Sequence, residues 1–200
     1  MDDTYLTLAG PSEGEYSEKG SRFLAFATHV STLDDCRVLV NQHGRRFHDA
    51  RHLCYAYMLG PERATYRAVD DGEPSGTAGR PILGQINSRG LTDVLVIVVR
   101  YFGGTKLGTS GLIRAYKTAA AAALNEANIE ERMVCDTVTA TFEYPLLSQV
   151  MRIVKDEDLT ILRQDFQLEC EMVLKVRKSA SSHLAERLRQ VRGVEIRVND

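Results

Sequence analysis

Two hundred residues with 44% hydrophobic and 26% charged side chains suit a water-soluble globular protein with one sizeable core or two small ones. A formal net charge of −2 excludes a global electrostatic argument for nucleic-acid binding, so any basic surface must be local. The acidic start MDDTYLTL is unlike a secretory signal, and no apolar run approaches the ~20 residues of a membrane span. Cys36, Cys54, Cys135 and Cys170 are too scattered for a zinc site or a disulfide framework, so free thiols in a reducing cytoplasm are expected.

In chain order, residues 10–14 read as a loop and residues 22–30 alternate as a strand. Residues 33–42 are expected to form a helix, capped by Ser31 or Thr32 and stopped by Gly44. A locally basic stretch follows, with Arg45, Arg46, Arg51, Arg63, Arg67, His43, His48 and His52 against Asp49 and Glu62. It suits phosphate backbones and, equally, a solvated loop. His48 and His52 have a spacing that on a helix aims two imidazoles at one metal ion. Residues 53–59, however, read as a strand, and on its extended lead-in the two rings would lie roughly 13 Å apart. No metal is expected there.

Residues 69–116 hold nine of the 15 glycines, so backbone geometry is densely specified in this segment. Its first part, Asp70, Asp71, Gly72, Glu73, Pro74, Ser75 and Gly76, is an acidic turn. Ser75 or Thr77 is the expected cap of a helix reaching Ser88 and stopped by Gly90, with Pro81 in its first turn. Asp70, Asp71 and Glu73 suit a metal, a pairing with Arg80, Arg100 or Lys106, or a solvated turn whose acids cap the helix. Residues 94–101 are a continuous β-branched run, read as a strand buried on both faces. From Leu112 the period changes to a helical stripe whose alanines allow close approach to a sheet.

Between strand and stripe, Gly103, Gly104, Lys106, Gly108, Ser110 and Gly111 deliver backbone N–H groups, hydroxyls and an ammonium to a helix start, where anions are favoured. Arg100, Lys106 and Arg114 could converge on such an anion, and Tyr101 and Phe102 could stack on a base or pack in the core. Neither the phosphate-loop pattern nor G-x-G-x-x-G is matched, and a tight turn without ligand fits the same residues.

Residues 136–144, 160–163, 168–176 and 194–198 read as strands, with helices over 145–155 and 179–191. The order βαββαβ is that of a ferredoxin-like sandwich. Lys175, Arg177, Lys178, Arg187, Arg189, Arg192 and Arg197 against Glu186 and Glu195 suggest a basic face on this part.

The strings DDGEPSGTAGRPIL and VVRYFGGTKLGTSGLIRAY, with KGSRFLAF at 19–26 and ARHLCYAY at 50–57, resemble the signature of the Impact family over most of residues 16–130. Ser110 stands where many relatives carry glycine, and His52 falls on a family-like surface. The resemblance implies two α+β domains. Residues 1–133 would form a βαβ domain similar to the ribosomal-protein and elongation factor G superfamily, and residues 134–200 a ferredoxin-like domain. It also implies a link to translation. The family's eukaryotic relatives regulate translation under amino-acid starvation through a further N-terminal domain with no counterpart in this sequence, so that specific mechanism does not carry over.

No nucleophile stands beside a base in a recognisable pattern, so binding is favoured over catalysis and no cofactor is expected. The leading expectation is a cytoplasmic, translation-linked regulatory protein whose partner is RNA, the ribosome or another protein, with no membrane role. The alternative is an enzyme acting on a small phosphorylated or nucleotide substrate, with Asp70, Asp71 or Glu73 holding Mg²⁺ or acting as base. A third is a scaffold for a protein partner.

Overall fold

The computed structural model describes residues 3–199, which form a mixed α+β protein with antiparallel sheets. Two compact units are present, residues 5–132 and residues 133–199 with Asp3 and Thr4. In the first, β1 (Thr4–Leu8) pairs with β7 (Ile129–Met133). A five-stranded sheet is built from β2 (Ser12–Glu18), β3 (Ser21–His29), β4 (His52–Leu59), β5 (Thr65–Val69) and β6 (Val94–Tyr101) in the order β2-β3-β6-β4-β5. Helix α1 (Leu33–Arg46) covers one face, and α2 (Gly79–Ser88) and α3 (Gly108–Asn125) cover the other.

The central strand β6 is buried on both sides, which explains its unbroken apolar run. Val94, Val96 and Val98 pack under α2 and α3, while Leu95, Ile97 and Val99 pack under α1. Ala115, Ala119, Ala120 and Ala123 line the buried side of α3 and bring its axis close to the sheet. The approach at β2 is so close that a Cβ on Gly14 would lie 2.3 Å from the Ala123 nitrogen. Residues 10–14, expected as loop, therefore enter a strand at Ser12, with Gly14 providing clearance for the helix.

Helix α1 begins where the caps were expected. Thr32 accepts from the Asp35 N–H, and the Asp35 carboxylate accepts from the Thr32 N–H, a complete capping box. Gly44 does not stop it; the helix continues to Arg46, and Phe47 packs its ring 5.2 Å from Phe26. His48 lies in the turn after α1 instead of on an extended lead-in. The expected basic stretch is dispersed: Arg46 lies over the Phe26 and Phe47 rings, and Arg63 donates to Asn87 Oδ1.

The second unit runs β8 (Cys135–Glu143), a 3-10 turn over Tyr144–Leu146, α4 (Leu147–Asp156), β9 (Thr160–Phe166), β10 (Glu169–Arg177), α5 (Lys178–Arg189) and β11 (Val194–Asn199). Its antiparallel sheet has the order β11-β8-β10-β9. Val138, Ala140, Phe142, Met172 and Leu174 present one face to Val150 and Val154 of α4 and Leu184 and Leu188 of α5. Arg187 bridges Asp156 and Glu157, so the basic face expected here is partly neutralised.

Gly103 follows β6 and lies against the turn before β3. A Cβ there would lie 1.9 Å from the Gly20 carbonyl carbon, so backbone itself would have to move. Gly84, exposed in the interior of α2, has nothing within 4 Å. Gly103→Ala is expected to destabilise the protein by about 1–3 kcal/mol as overpacking. Gly84→Ala should stabilise it by about 0.5–1 kcal/mol through the helix entropy that glycine forfeits. Urea denaturation of both variants checks the opposite signs.

Candidate functional site

Alternation along β6 puts Arg100 on the α2 and α3 face and Tyr101 on the α1 face. Arg100 is 5% exposed, and its Nη1 donates to Glu73 Oε1 at 2.6 Å. Its guanidinium carbon lies 5.5 Å from the Phe23 ring centre and 5.6 Å from that of Phe102. Arg100 Nε is sealed from solvent and has no hydrogen-bond partner among the described residues.

Glu73 Oε1 also accepts from the Tyr116 hydroxyl of α3 at 2.8 Å, and Glu73 Oε2 lies 3.8 Å from His52 Nε2. Cys54 Sγ stands 3.3 Å from the Tyr116 oxygen and 3.0 Å from the Asp70 carbonyl oxygen. Burial pushes the Cys54 thiol and the Tyr116 phenol well above their ordinary ranges, so both remain protonated and Tyr116 serves as donor to the carboxylate.

The acidic turn is fixed by its own side chains. Asp70 accepts from the N–H groups of Gly76, Ala78 and Gly79 at 2.8, 3.0 and 2.8 Å. It therefore serves the start of α2, whose N-cap Ala78 has no side-chain bond, and neither Ser75 nor Thr77 takes the expected capping role. Thr77 donates its hydroxyl to the Pro74 carbonyl oxygen instead. Asp71 Oδ2 accepts from the Leu53 N–H at 2.6 Å, and its carbonyl oxygen lies 2.7 Å from His52 Nδ1. Glu73 is thereby held beneath a cleft.

That cleft, of about 620 Å³, is lined by Arg51, His52, Glu73, Pro74, Arg100, Phe102, Lys106, Leu107, Gly108, Thr109 and Leu112. The helix α3 starts at Gly108, inside the segment expected to be loop, with no acidic residue in its first turn and no side-chain cap bond. Its first residues, Gly108 and Thr109, therefore line the cleft together with Lys106 and Arg51, and the first N–H groups of a helix have no partner within it.

Of the residues singled out from the sequence, His52, Glu73, Arg100, Phe102, Lys106 and Gly108 come together here. Tyr101 lies on the opposite sheet face and donates to Asp49 Oδ1. Arg114 is ion-paired with Glu18. Arg80 is exposed beside Gly76 and does not line the cleft, and Ser110 is exposed in the first turn of α3. Gly103 donates its N–H to Ser21 Oγ at 3.1 Å, and Gly104 takes a positive φ of 85° in the loop. Among the described residues no group of three or more His, Cys, Asp or Glu could hold a metal ion, and no helix is long and apolar enough to cross a membrane.

The Impact N-terminal domain family model matches residues 19–124. The chain belongs to the IMPACT family. It is 31% identical to the IMPACT family member YvyE of Bacillus subtilis (strain 168) over 183 residues, 92% of this chain and 84% of that one. It is 32% identical to the IMPACT family member YigZ of Escherichia coli (strain K12) over 167 residues, 82% of each chain. The crystal structure of a hypothetical protein superposes with a TM-score of 0.77 at 27% identity, covering 100% of this chain and 98% of that one.

Every cleft residue falls inside the matched span. Sequence reasoning placed Arg51 in a separate basic stretch suited to phosphate backbones, without joining it to the glycine-rich loop, and missed Tyr116 altogether. Arg51 precedes His52, which stands opposite Arg100 in the β4–β6 ladder, and that register is not written in either strand alone. Tyr116 sits in an alanine-rich stripe, and the phenolic hydroxyl in that stripe was the available signal.

Glu73→Ala would leave Arg100 buried without its counter-charge and is expected to cost about 3–5 kcal/mol in urea denaturation. A second expectation concerns acid. Burial raises the Asp70 pKa, but the N–H bonds from Gly76, Gly79 and Ala78 and the charge of Arg80 outweigh it and hold the carboxyl below its usual value. A depressed folded-state pKa gives stability that is present above the unfolded value and lost as pH falls through the folded one. Asp70→Asn should therefore be less stable than wild type by about 1 kcal/mol at neutral pH. Thermal melts as a function of pH should show that gap closing below about pH 4.

Proposed function

We propose that the cleft binds phosphate groups of RNA and that the protein is a cytoplasmic, translation-linked regulator acting on RNA or the ribosome. One observation carries this reading. Arg51 and Lys106 line the cleft at which α3 begins, with no ion pair among the described residues, in a chain whose formal charge is −2. Cations at a helix start oppose its dipole unless an anion joins them. Membership of the IMPACT family adds the link to translation that the sequence resemblance implies. In this reading the unit of residues 5–132 is similar to the ribosomal-protein and elongation factor G superfamily. The unit with strand order β11-β8-β10-β9 and both helices on one face is a ferredoxin-like sandwich.

Turnover of a small phosphorylated or nucleotide substrate is the second reading, and the cleft volume of about 620 Å³ favours it. Against it, Asp70 and Asp71 are committed to backbone N–H groups, which leaves Glu73 as the acid at the cleft.

Binding of purified protein to RNA and to ribosomes across a salt series tests the first reading. Wild type is expected to bind with a steep salt dependence. Arg51→Ala and Lys106→Ala should each weaken binding and lower the slope of log K against log salt by about 0.7. Arg114→Ala, whose guanidinium is paired with Glu18 away from the cleft, should leave the slope unchanged. Wild type that binds neither RNA nor ribosomes sinks the reading, and Mg²⁺-dependent turnover of a phosphorylated small molecule would install the second.

A further inference from the structure

A phosphodiester within an RNA carries one negative charge, whereas a terminal phosphomonoester carries close to two at neutral pH. The cleft is matched to the second. Three permanent cations, Arg51, Arg100 and Lys106, line it together with one carboxylate, Glu73, leaving a net charge of +2. His52 stands beside them with Nδ1 against the Asp71 carbonyl oxygen.

Arg100 adds an independent observation. Its side chain is only 6% exposed on the inner wall, its hydrogen bond goes to Glu73, and its Nε has no partner among the described residues. A buried cation left with an unsatisfied donor is costly, and no protein group among the described residues completes it.

Phe102 supplies a different chemistry. It lies at the cleft with 49% of its surface exposed, and its ring is 5.6 Å from the Arg100 guanidinium carbon. An exposed aromatic backed by a buried guanidinium is a platform for a base, because every base has a π-face and the cation strengthens the contact. The volume of about 620 Å³ is ample for one nucleotide.

We propose that the cleft recognises a phosphorylated nucleotide end. The terminal phosphomonoester is held by Arg51, Arg100, Lys106 and the first N–H groups of α3, and the attached base stacks on Phe102. This rests on the phosphate-binding reading above and narrows it from any RNA backbone to a chain end. The same chemistry occurs in a free mononucleotide and in the end of an RNA.

The test compares RNAs of one sequence, about ten nucleotides long, carrying a 5′-phosphate, a 3′-phosphate or hydroxyls at both ends. Binding is followed by fluorescence anisotropy with the label at the opposite end, and AMP is measured directly and as competitor. One of the phosphorylated RNAs should bind about tenfold tighter than the hydroxyl form, the scale expected of one added charge near partly screened cations. Arg51→Ala and Lys106→Ala should narrow that gap, and Phe102→Ala should weaken binding of the phosphorylated RNA about tenfold through the lost stack. Unchanged melting temperatures of these surface variants keep the comparison clean.

Equal affinity for all three RNAs overturns the proposal and leaves the RNA reading standing. AMP binding with no RNA binding keeps the phosphomonoester site and overturns the RNA reading. Absence of binding by AMP and every RNA removes both. AMP that competes with the phosphorylated RNA supports the end nucleotide as the recognised unit, and unaffected binding by Phe102→Ala overturns the stacking platform.

Discussion

A guanidinium and a carboxylate withdrawn from water each lose several kcal/mol of hydration, so they persist only where the surrounding chain holds them together. Arg100 and Glu73 are such a pair, 6% and 3% exposed at their side chains, and much of the local architecture exists to keep them in contact. Glu73 sits on an irregular turn that could not position a carboxylate unaided. Asp70 fixes the turn to the start of α2 through three N–H groups, and Asp71 ties it to β4 through Leu53. Tyr116 of α3 then donates to the same carboxylate oxygen as Arg100. Four chain segments thus meet at one ion pair, and the cleft lies above it.

Burial also explains why this network is protonated as it is. The Cys54 thiol and the Tyr116 phenol are both driven towards their neutral forms, which makes Tyr116 a fixed donor and prevents further negative charge from accumulating beside Glu73. A single buried carboxylate matched to a single buried guanidinium is sustainable. Deprotonation of either neighbour would set two anions against one cation.

The parts of this arrangement legible in the sequence are those governed by local periodicity. The run read over residues 94–101 matches β6 residue for residue, and the alanine stripe identifies the buried side of α3. What escaped is set by distant partners. β2 contains Tyr16 as its one large apolar residue, and Gly14 looks like loop punctuation until α3 is seen resting within 2.3 Å of where its Cβ would be. Gly44 suggests a stop, but the ring of Phe47 against Phe26 favours extending α1 past it. The cap of α2 comes from Asp70, nine residues before Gly79, beyond the reach of any short capping pattern. The candidate site divides in the same way. Arg100, Lys106 and Phe102 were marked by the glycine-rich segment, whereas Tyr101 was separated from them by strand parity and Arg114 by Glu18.

The cleft's charges follow a different logic from those of the rest of the surface. Arg114 and Arg187 each have a carboxylate within reach, as does Arg22 with Glu15, and such pairs let a chain carry many cations without a strong local field. Arg51 and Lys106 have none among the described residues, and they line the cleft where the unsatisfied N–H groups of α3 already make the potential positive. Glu73 cannot serve them fully, because Arg100 and Tyr116 occupy its first oxygen and His52 faces the second. Like charges gathered near a helix start and left without a paired carboxylate oppose folding. The same field, focused by low-dielectric walls such as Phe102, Leu107 and Leu112, would draw an anion in and strengthen every bond made to it. The cost of that arrangement and its affinity for an anion therefore have one origin, two cations at the cleft that no carboxylate among the described residues pairs with.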